Sequence, residues 1–268
     1  PYLAMLQQRG LADAYVEEHT RIKETMGAYT TVLPDDAYCD NWVAHNGMKF
    51  LRDFPRDQPW HLVINFTGPH NPMDVTASMR QRWEDVDFPE PHANDEPDRE
   101  GLLRNRQNYA AMIENIDDHV GRFLDEVERR GELDQTIIVY ASDHGEMLGD
   151  HGRWGKSTWH QPSSGVPLIV TGPDVRQGAV CDLPVVLHDL TASFLDWGGA
   201  VQLPEMEGQT LRPLLEGATS SHRDVVVSGL HEFRIVYDGR YKLVSFRAGE
   251  SALYDLQEDP WEDVAVAK

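Results

Sequence analysis

Positive charge is scarce in this sequence. Its 24 lysines and arginines face 45 aspartates and glutamates, a formal charge of -21 over 268 residues. That balance argues against a nucleic-acid-binding surface and against adhesion to anionic membrane, because both need a basic face. It also means that an anionic substrate would need a cation or a lysine placed at its site. Cysteine is nearly absent. Cys39 and Cys181 stand far apart and in no metal-binding spacing, so no disulfide framework or cysteine zinc site is expected, and both are read as free, packed thiols. No run approaches the roughly 18–20 apolar residues of a membrane span. The sequence opens at Pro1 without a signal-peptide pattern. This reads as a start inside a longer frame and leaves open whether a soluble protein works in the cytoplasm or the periplasm. Internal repeats are lacking too.

What is there is ordinary for a globular chain: 40% hydrophobic and 26% charged residues. The length suffices for one large domain, or one domain with a small appendage. The most informative stretch runs from Thr136 to Pro173. Thr136–Ala141 is a β-branched run that predicts a buried strand, and Val166–Val170 predicts a second. Between them lie Asp143, His144, Glu146, Asp150, His151, Lys156 and His160, beginning at a Ser-Asp-His-Gly turn. Ligands of open α/β sheets bind beyond the carboxyl ends of strands, which is where Asp143 and His144 fall. A carboxylate beside an imidazole suits a divalent cation but does not complete its shell. Lys156 follows in a Gly-rich, aromatic-flanked loop, where an ammonium could meet an anionic oxygen. The ordinary alternative is a capping Asp and a solvated Lys, and spacing alone does not separate the two.

Elsewhere the pattern is α/β. Short helices are expected over Tyr2–Gly10 and Leu11–Met26, and a helix from about Ala37 with an apolar stripe of Trp42, Val43, Met48, Phe50 and Leu51. Arg52–Pro55 should end it. His61–Phe66 reads as a strand running into the stiff loop Thr67–Pro72, which holds His70. Met73–Leu103 reads as an irregular acidic excursion with a solvated His92. Leu103–Arg130 carries Tyr109, Met112, Ile113, Ile116, Val120, Phe123, Leu124 and Val127 at helical spacing, with Gly131 as its stop and Asp117–Asp118 on the solvated face. A helix is expected from Leu187 to Gly199, with His188 in a structural role. The end of the chain changes period. A strand at 224–228, a hairpin turning at Asp238-Gly239 and a strand at Leu253–Leu256 predict a small antiparallel subdomain.

The segment SDHGEMLGDHGRWGKSTWHQPSSGVPLIVTGP resembles the metal-binding and lysine segment of the sulfatase family, within the alkaline-phosphatase-like superfamily. FTGPHNP resembles that family's strand leading into a Pro-His-x-Pro loop, and LYDLQEDP its closing stretch. The resemblance implies an α/β fold, an alkaline-phosphatase-like sheet flanked by helices and here incomplete, over residues 1–220. A small C-terminal antiparallel β subdomain would follow over 221–268. It implies a divalent cation (Ca2+ or Mg2+, with Mn2+ as an alternative) on Asp143 and His144. It also implies a sulfate ester gripped by His70 and Lys156, with His160 as a further substrate contact. His151 is left between a pocket role and a loop hydrogen bond. The family's nucleophile is a formylglycine made from a Cys or Ser in a Cys/Ser-x-Pro/Ala-x-Arg motif. Cys39 precedes Asp-Asn-Trp-Val and Cys181 precedes Asp-Leu-Pro-Val, so neither fits, and the paired early aspartates are also lacking. The expectation is therefore the C-terminal portion of a sulfatase, inactive by itself, whose partner is the N-terminal portion of the same protein. A phosphodiesterase or phosphonate monoester hydrolase of the same superfamily is the second reading, and a non-catalytic sulfatase-like binding module the third.

Overall fold

The computed structural model describes residues 1–21, 27–95 and 98–267. The chain forms two compact units: residues 1–133 with 147–155, and residues 134–146 with 156–268. Each is described by itself.

The first unit opens with α1 (Tyr2–Gln8) and α2 (Ala12–Thr20). The remainder of the second expected helix, 22–26, lies outside the described residues. β1 (Ala28–Thr30) follows, then a 3-10 turn at Asp35–Ala37 and α3 (Cys39–Asp53). The expected stripe on α3 is displaced. The helix buries Asp40, Ala44, Gly47 and Leu51, while Phe50 is exposed. The reason is close packing: a Cβ at Gly47 would run into Ile64, so small residues, not the largest apolar ones, form the contact. Residues 61–66 keep an alternating pattern of burial but do not form the expected strand, because no described residue pairs with them. A period-two pattern reports a face; a ladder also needs a partner.

The excursion after His70 is more ordered than its composition suggests. β2 (Met73–Val75) pairs in parallel with β1, and the Thr76 side chain caps α4 (Ala77–Trp83). α5 (Arg99–Arg129) starts earlier than its apolar stripe, because Asp98 accepts a hydrogen bond from Gly101 N at 2.8 Å and sets the first turn. Gly131, at φ +71°, ends it as expected. The buried face of α5 carries the expected Met112, Ile116 and Val127 but also the polar Asn105, Asn108, Asn115 and His119, while Ile113 is exposed. Asn108 donates to the backbone oxygens of Tyr29 (3.2 Å) and Met73 (2.7 Å), fastening the helix to both short strands. Arg130 is buried and caps the end of α3 by donating to Leu51 O at 2.6 Å.

The second unit begins with β3 (Ile138–Ala141), then α6 (Gln161–Ser164) and β4 (Leu168–Thr171), which pairs antiparallel with β3. The sequence predicts both strands as buried; among the described residues they pair with each other alone, and Ile169 is 62% exposed. α7 (His188–Trp197) and α8 (Arg212–Leu215) follow. His188 is exposed; the anchor is its neighbour Asp189, fully buried and bonded to His222, Arg223 and the backbone of Val186 and Gln209. Four antiparallel strands close the chain in sequential order: β5 (Val226–Leu230), β6 (Phe233–Tyr237), β7 (Tyr241–Phe246) and β8 (Ser251–Asp255). At the β6–β7 turn only Gly239 has positive φ (+101°). Asp238 instead accepts from the backbone of Arg240 (2.9 Å) and Tyr241 (2.7 Å), so a side-chain-closed loop replaces the expected two-residue turn. Those two N–H groups also hold its carboxyl below the usual carboxylate range. Among the described residues no helix is long and apolar enough to cross a membrane.

Candidate active site

The residues singled out from sequence divide between the units. His70 and His151 belong to the first; Asp143, His144, Lys156 and His160 belong to the second.

In the first unit, α3 positions the His70 loop. Asp40, on the first turn of α3 and 1% exposed, accepts from Thr67 N (2.7 Å) and Gly68 N (3.0 Å). Burial raises the Asp40 carboxyl above its ordinary range, against the pull of those two N–H groups. A Cβ at Gly68 would meet the Asp40 carboxylate, so the loop can lie this close only with glycine there. The Gly68-Pro69 and Asn71-Pro72 bonds are cis, and they bracket an exposed His70 whose Nδ1 lies 2.5 Å from Asn71 O. His92 is not simply solvated: its N–H donates to Asp150 at 2.9 Å and its carbonyl accepts from His151 N at 2.8 Å. His151, at φ +55°, has its ring 5.4 Å from that of His92. Arg106 of α5 holds Asp150 at 3.1 Å and Leu148 O, so the 147–155 segment is pinned by the long helix.

In the second unit, Asp143 and His144 follow directly after β3. Asp143 is exposed and accepts from His144 N at 3.0 Å. His144 Nδ1 sits 2.8 Å from Gly145 O. With Nδ1–H donating to that carbonyl, Nε2 keeps its lone pair, the arrangement a metal-binding imidazole needs. Nε2 lies 3.7 Å from Asp143 Oδ2. Two ligand atoms each about 2.0–2.4 Å from one ion are separated by about 3–4 Å, so the pair fits a shared divalent cation, as a part of its shell. The turn is fixed from behind. Gly145 N donates to Ser163 O at 3.0 Å, and a Cβ at 145 would collide with the Pro162 carbonyl.

Lys156 is exposed. His160 is 6% exposed, stacked on Trp159 with ring centroids 4.6 Å apart, and its Nδ1 lies 2.6 Å from Thr158 Oγ1. Trp159 itself packs edge-on against Phe246 (4.9 Å) in the core of the C-terminal sheet. Two charged residues of this unit that belong to no motif are buried as a pair. Lys242 is 1% exposed and its Nζ lies 2.6 Å from Glu262. The signal existed: within β7, Lys242 shares the inward face with Val244, two residues on. Of the cysteines, Cys39 is half-buried and Cys181 is exposed, not packed. Cys39 begins α3, its Sγ 3.5 Å from Thr67 Oγ1. Neither presents the nucleophile motif, so formylglycine does not fit this chain.

Mixed α/β elements followed by a small four-stranded antiparallel sheet give the chain an alkaline-phosphatase-like fold. The structure is similar to a phosphonate monoester hydrolase of Agrobacterium radiobacter, with TM-score 0.80, 23% identity, and coverage of 99% of this chain and 64% of that one. The family model for sulfatases matches residues 8–200, and the model described as N-sulphoglucosamine sulphohydrolase, C-terminal, matches residues 149–268. The chain belongs to the sulfatase family. It is 30% identical to an arylsulfatase of Clostridium perfringens, over 83% of this chain and 52% of the relative. It is 28% identical to a choline-sulfatase of Rhizobium meliloti, over 90% of this chain and 54% of the relative. The chain thus spans about half the length of these curated relatives. Sulfatases are generally metal-dependent hydrolases of sulfuric esters.

Proposed function

We propose that this chain is the C-terminal portion of a metal-dependent sulfatase whose nucleophile lies in a preceding N-terminal portion. The observation that carries this reading is the Asp143–His144 pair at the end of β3, its imidazole oriented by the Gly145 carbonyl and its donor atoms 3.7 Å apart, inside a chain of the sulfatase family. Asp143 and His144 would hold a Ca2+ or Mg2+ ion, and Mn2+ would also suit an oxygen-nitrogen pair. When bound, it would supply charge stabilisation to the sulfate oxygens. Lys156 binds a sulfate oxygen as a compact point charge, and His160 supports that loop as a further substrate contact. His70 donates a hydrogen bond or a proton to the sulfate or to the leaving oxygen. Residues 1–220 form the C-terminal part of the catalytic core, and residues 221–268 the appended subdomain.

The test compares the intact protein, N-terminal portion included, with chain 1–268. The intact protein is expected to hydrolyse an aryl sulfate only with divalent cation present, and Asp143→Ala to reduce turnover by roughly 100-fold or more. The isolated chain is expected to be inactive. Faster turnover of a phosphonate ester than of the sulfate would favour the second reading. Metal-dependent sulfate hydrolysis by 1–268 alone would overturn the division of labour. An upstream frame without the nucleophile motif would leave a binding module.

A further inference from the structure

Lysine is the least buried of side chains in ordinary proteins, and an ammonium out of water is tolerated only when paired and bonded. Lys242 is nevertheless 1% exposed, in the middle of the C-terminal sheet, and burial pulls its ammonium below the ordinary lysine range. What it bonds to is informative. Its Nζ donates to the backbone oxygen of Trp159 at 2.8 Å and to Gln161 Oε1 at 3.3 Å, and pairs with Glu262 at 2.6 Å. Glu262, 4% exposed, also accepts from Gln161 N at 2.5 Å. Two buried ionisable side chains from the C-terminal segment thus close on three atoms of residues 159–161, at the start of α6.

The contacts continue from there. His160 O accepts from Ser163 N and Ser164 N, both at 3.0 Å, which shapes the four-residue turn. Ser163 O in turn accepts from Gly145 N at 3.0 Å, and the Pro162 and Gly165 carbonyls close against the bare Cα of Gly145. Gly145 O is the atom that orients the His144 ring. Every residue in this series belongs to the second unit. A buried ion pair is a poor source of stability, since apolar groups of similar volume usually do as well. Its distinctive property is direction: a charge-assisted bond fixes a carbonyl in place as a methyl group does not.

We infer that Lys242 and Glu262 form a buried clamp that positions the Asp143–His144–Gly145 turn through residues 159–163. They are positioning residues. The clamp stands on the geometry alone, and its consequence for a bound cation rests on the proposed function.

The test uses the double variant Lys242→Met/Glu262→Gln, which removes both charges together and keeps an acceptor for Gln161 N. Lys242→Met alone strands a buried carboxylate and should lower Tm markedly. The double variant should recover most of that loss. At recovered Tm, amide exchange at Gly145 and at Ser163–Gly165 is expected to quicken at least about tenfold, with β6 and β7 unchanged. Titration with Ca2+, Mg2+ and Mn2+ is expected to show affinity reduced about tenfold or more, the scale on which orienting partners of metal ligands act. Wild-type exchange at Gly145 and wild-type cation affinity in the folded double variant would overturn the inference. If the protein binds no cation and Asp143→Ala changes nothing, the metal reading fails, and the exchange rates alone decide the clamp. Should the double variant not fold, the wild type decides. Gly145 and Gly165 must then be as protected as the inward amides of β7, and rapid exchange there refutes the clamp.

Discussion

Gly145 shows how much can depend on one missing methyl group. Its Cα lies against carbonyl oxygens of Pro162 and Gly165, which no side chain at 145 would allow. Gly145→Ala is therefore expected to displace the turn and weaken divalent-cation affinity about as much as loss of a ligand, with a change in Tm of only a few degrees; calorimetric titration beside a melting curve checks both. Asp74 gives a prediction of a different kind. Burial raises its carboxyl to about 6, with His19 pulling the other way. Between its ordinary value near 3.8 and about 6 the folded state holds a proton that the unfolded chain releases. Stability from this group therefore falls as pH rises through that window, and above it a buried charge is carried at a cost. Asp74→Asn is expected to stabilise at pH 7.5 by on the order of 2 kcal/mol, with the gain vanishing by about pH 4. Melting curves across that range decide it; a gain independent of pH would show that charge is not the cause. At this scale the sequence marks candidates: Asp143 and His144 follow a β-branched run, and Lys156 stands further on in a glycine-rich loop. Asp40 is not among them, because nothing in Cys-Asp-Asn-Trp says that its carboxylate will face two loop N–H groups from far along the chain.

At the level of elements, periodicity located most helices and strands but left out the polar residues that some of them bury. α5 is the clearest case. Met112, Ile116 and Val127 of its apolar stripe are buried and Asp117–Asp118 are exposed, as the spacing predicts, yet Asn105, Asn108 and Asn115 also go inward and Ile113 stays out. Asn108 spends its amide on two strand carbonyls and accepts from Arg80 at 2.9 Å. Asn108→Leu keeps the volume and strands those carbonyls, so it is expected to destabilise by about 3 kcal/mol in chemical unfolding, more than an exposed Ile113→Ala. The β6–β7 hairpin carries the converse lesson. Asp-Gly marked the turn correctly, but the aspartate acts through its side chain, and Gly239 alone takes positive φ. Segment 61–66 shows the limit of alternation: a pattern describes one strand, and a strand exists as a pair.

For the whole molecule the dominant quantity is charge. At -21 the field of the chain attracts cations and repels anions, so an anionic ester at the proposed site would need the local positive charge of Lys156 and a bound cation. The attraction is screened as the Debye length falls from about 30 Å at 0.01 M salt to about 8 Å at 0.15 M. Apparent cation affinity is expected to fall at least about threefold over that range in the wild type; titration at the two salt concentrations checks it, and an unchanged affinity would show the site insulated from the field of the whole chain. The sequence by itself determined the longer helices, the C-terminal hairpin, the charge and the resemblance to sulfatases, because these are local patterns and fixed spacings. Only the tertiary structure decided that Lys242 lies buried against Glu262 and that Asp40 holds the His70 loop. Those partners are distant in the chain, and a charged side chain announces its type but not the atoms that folding will set against it.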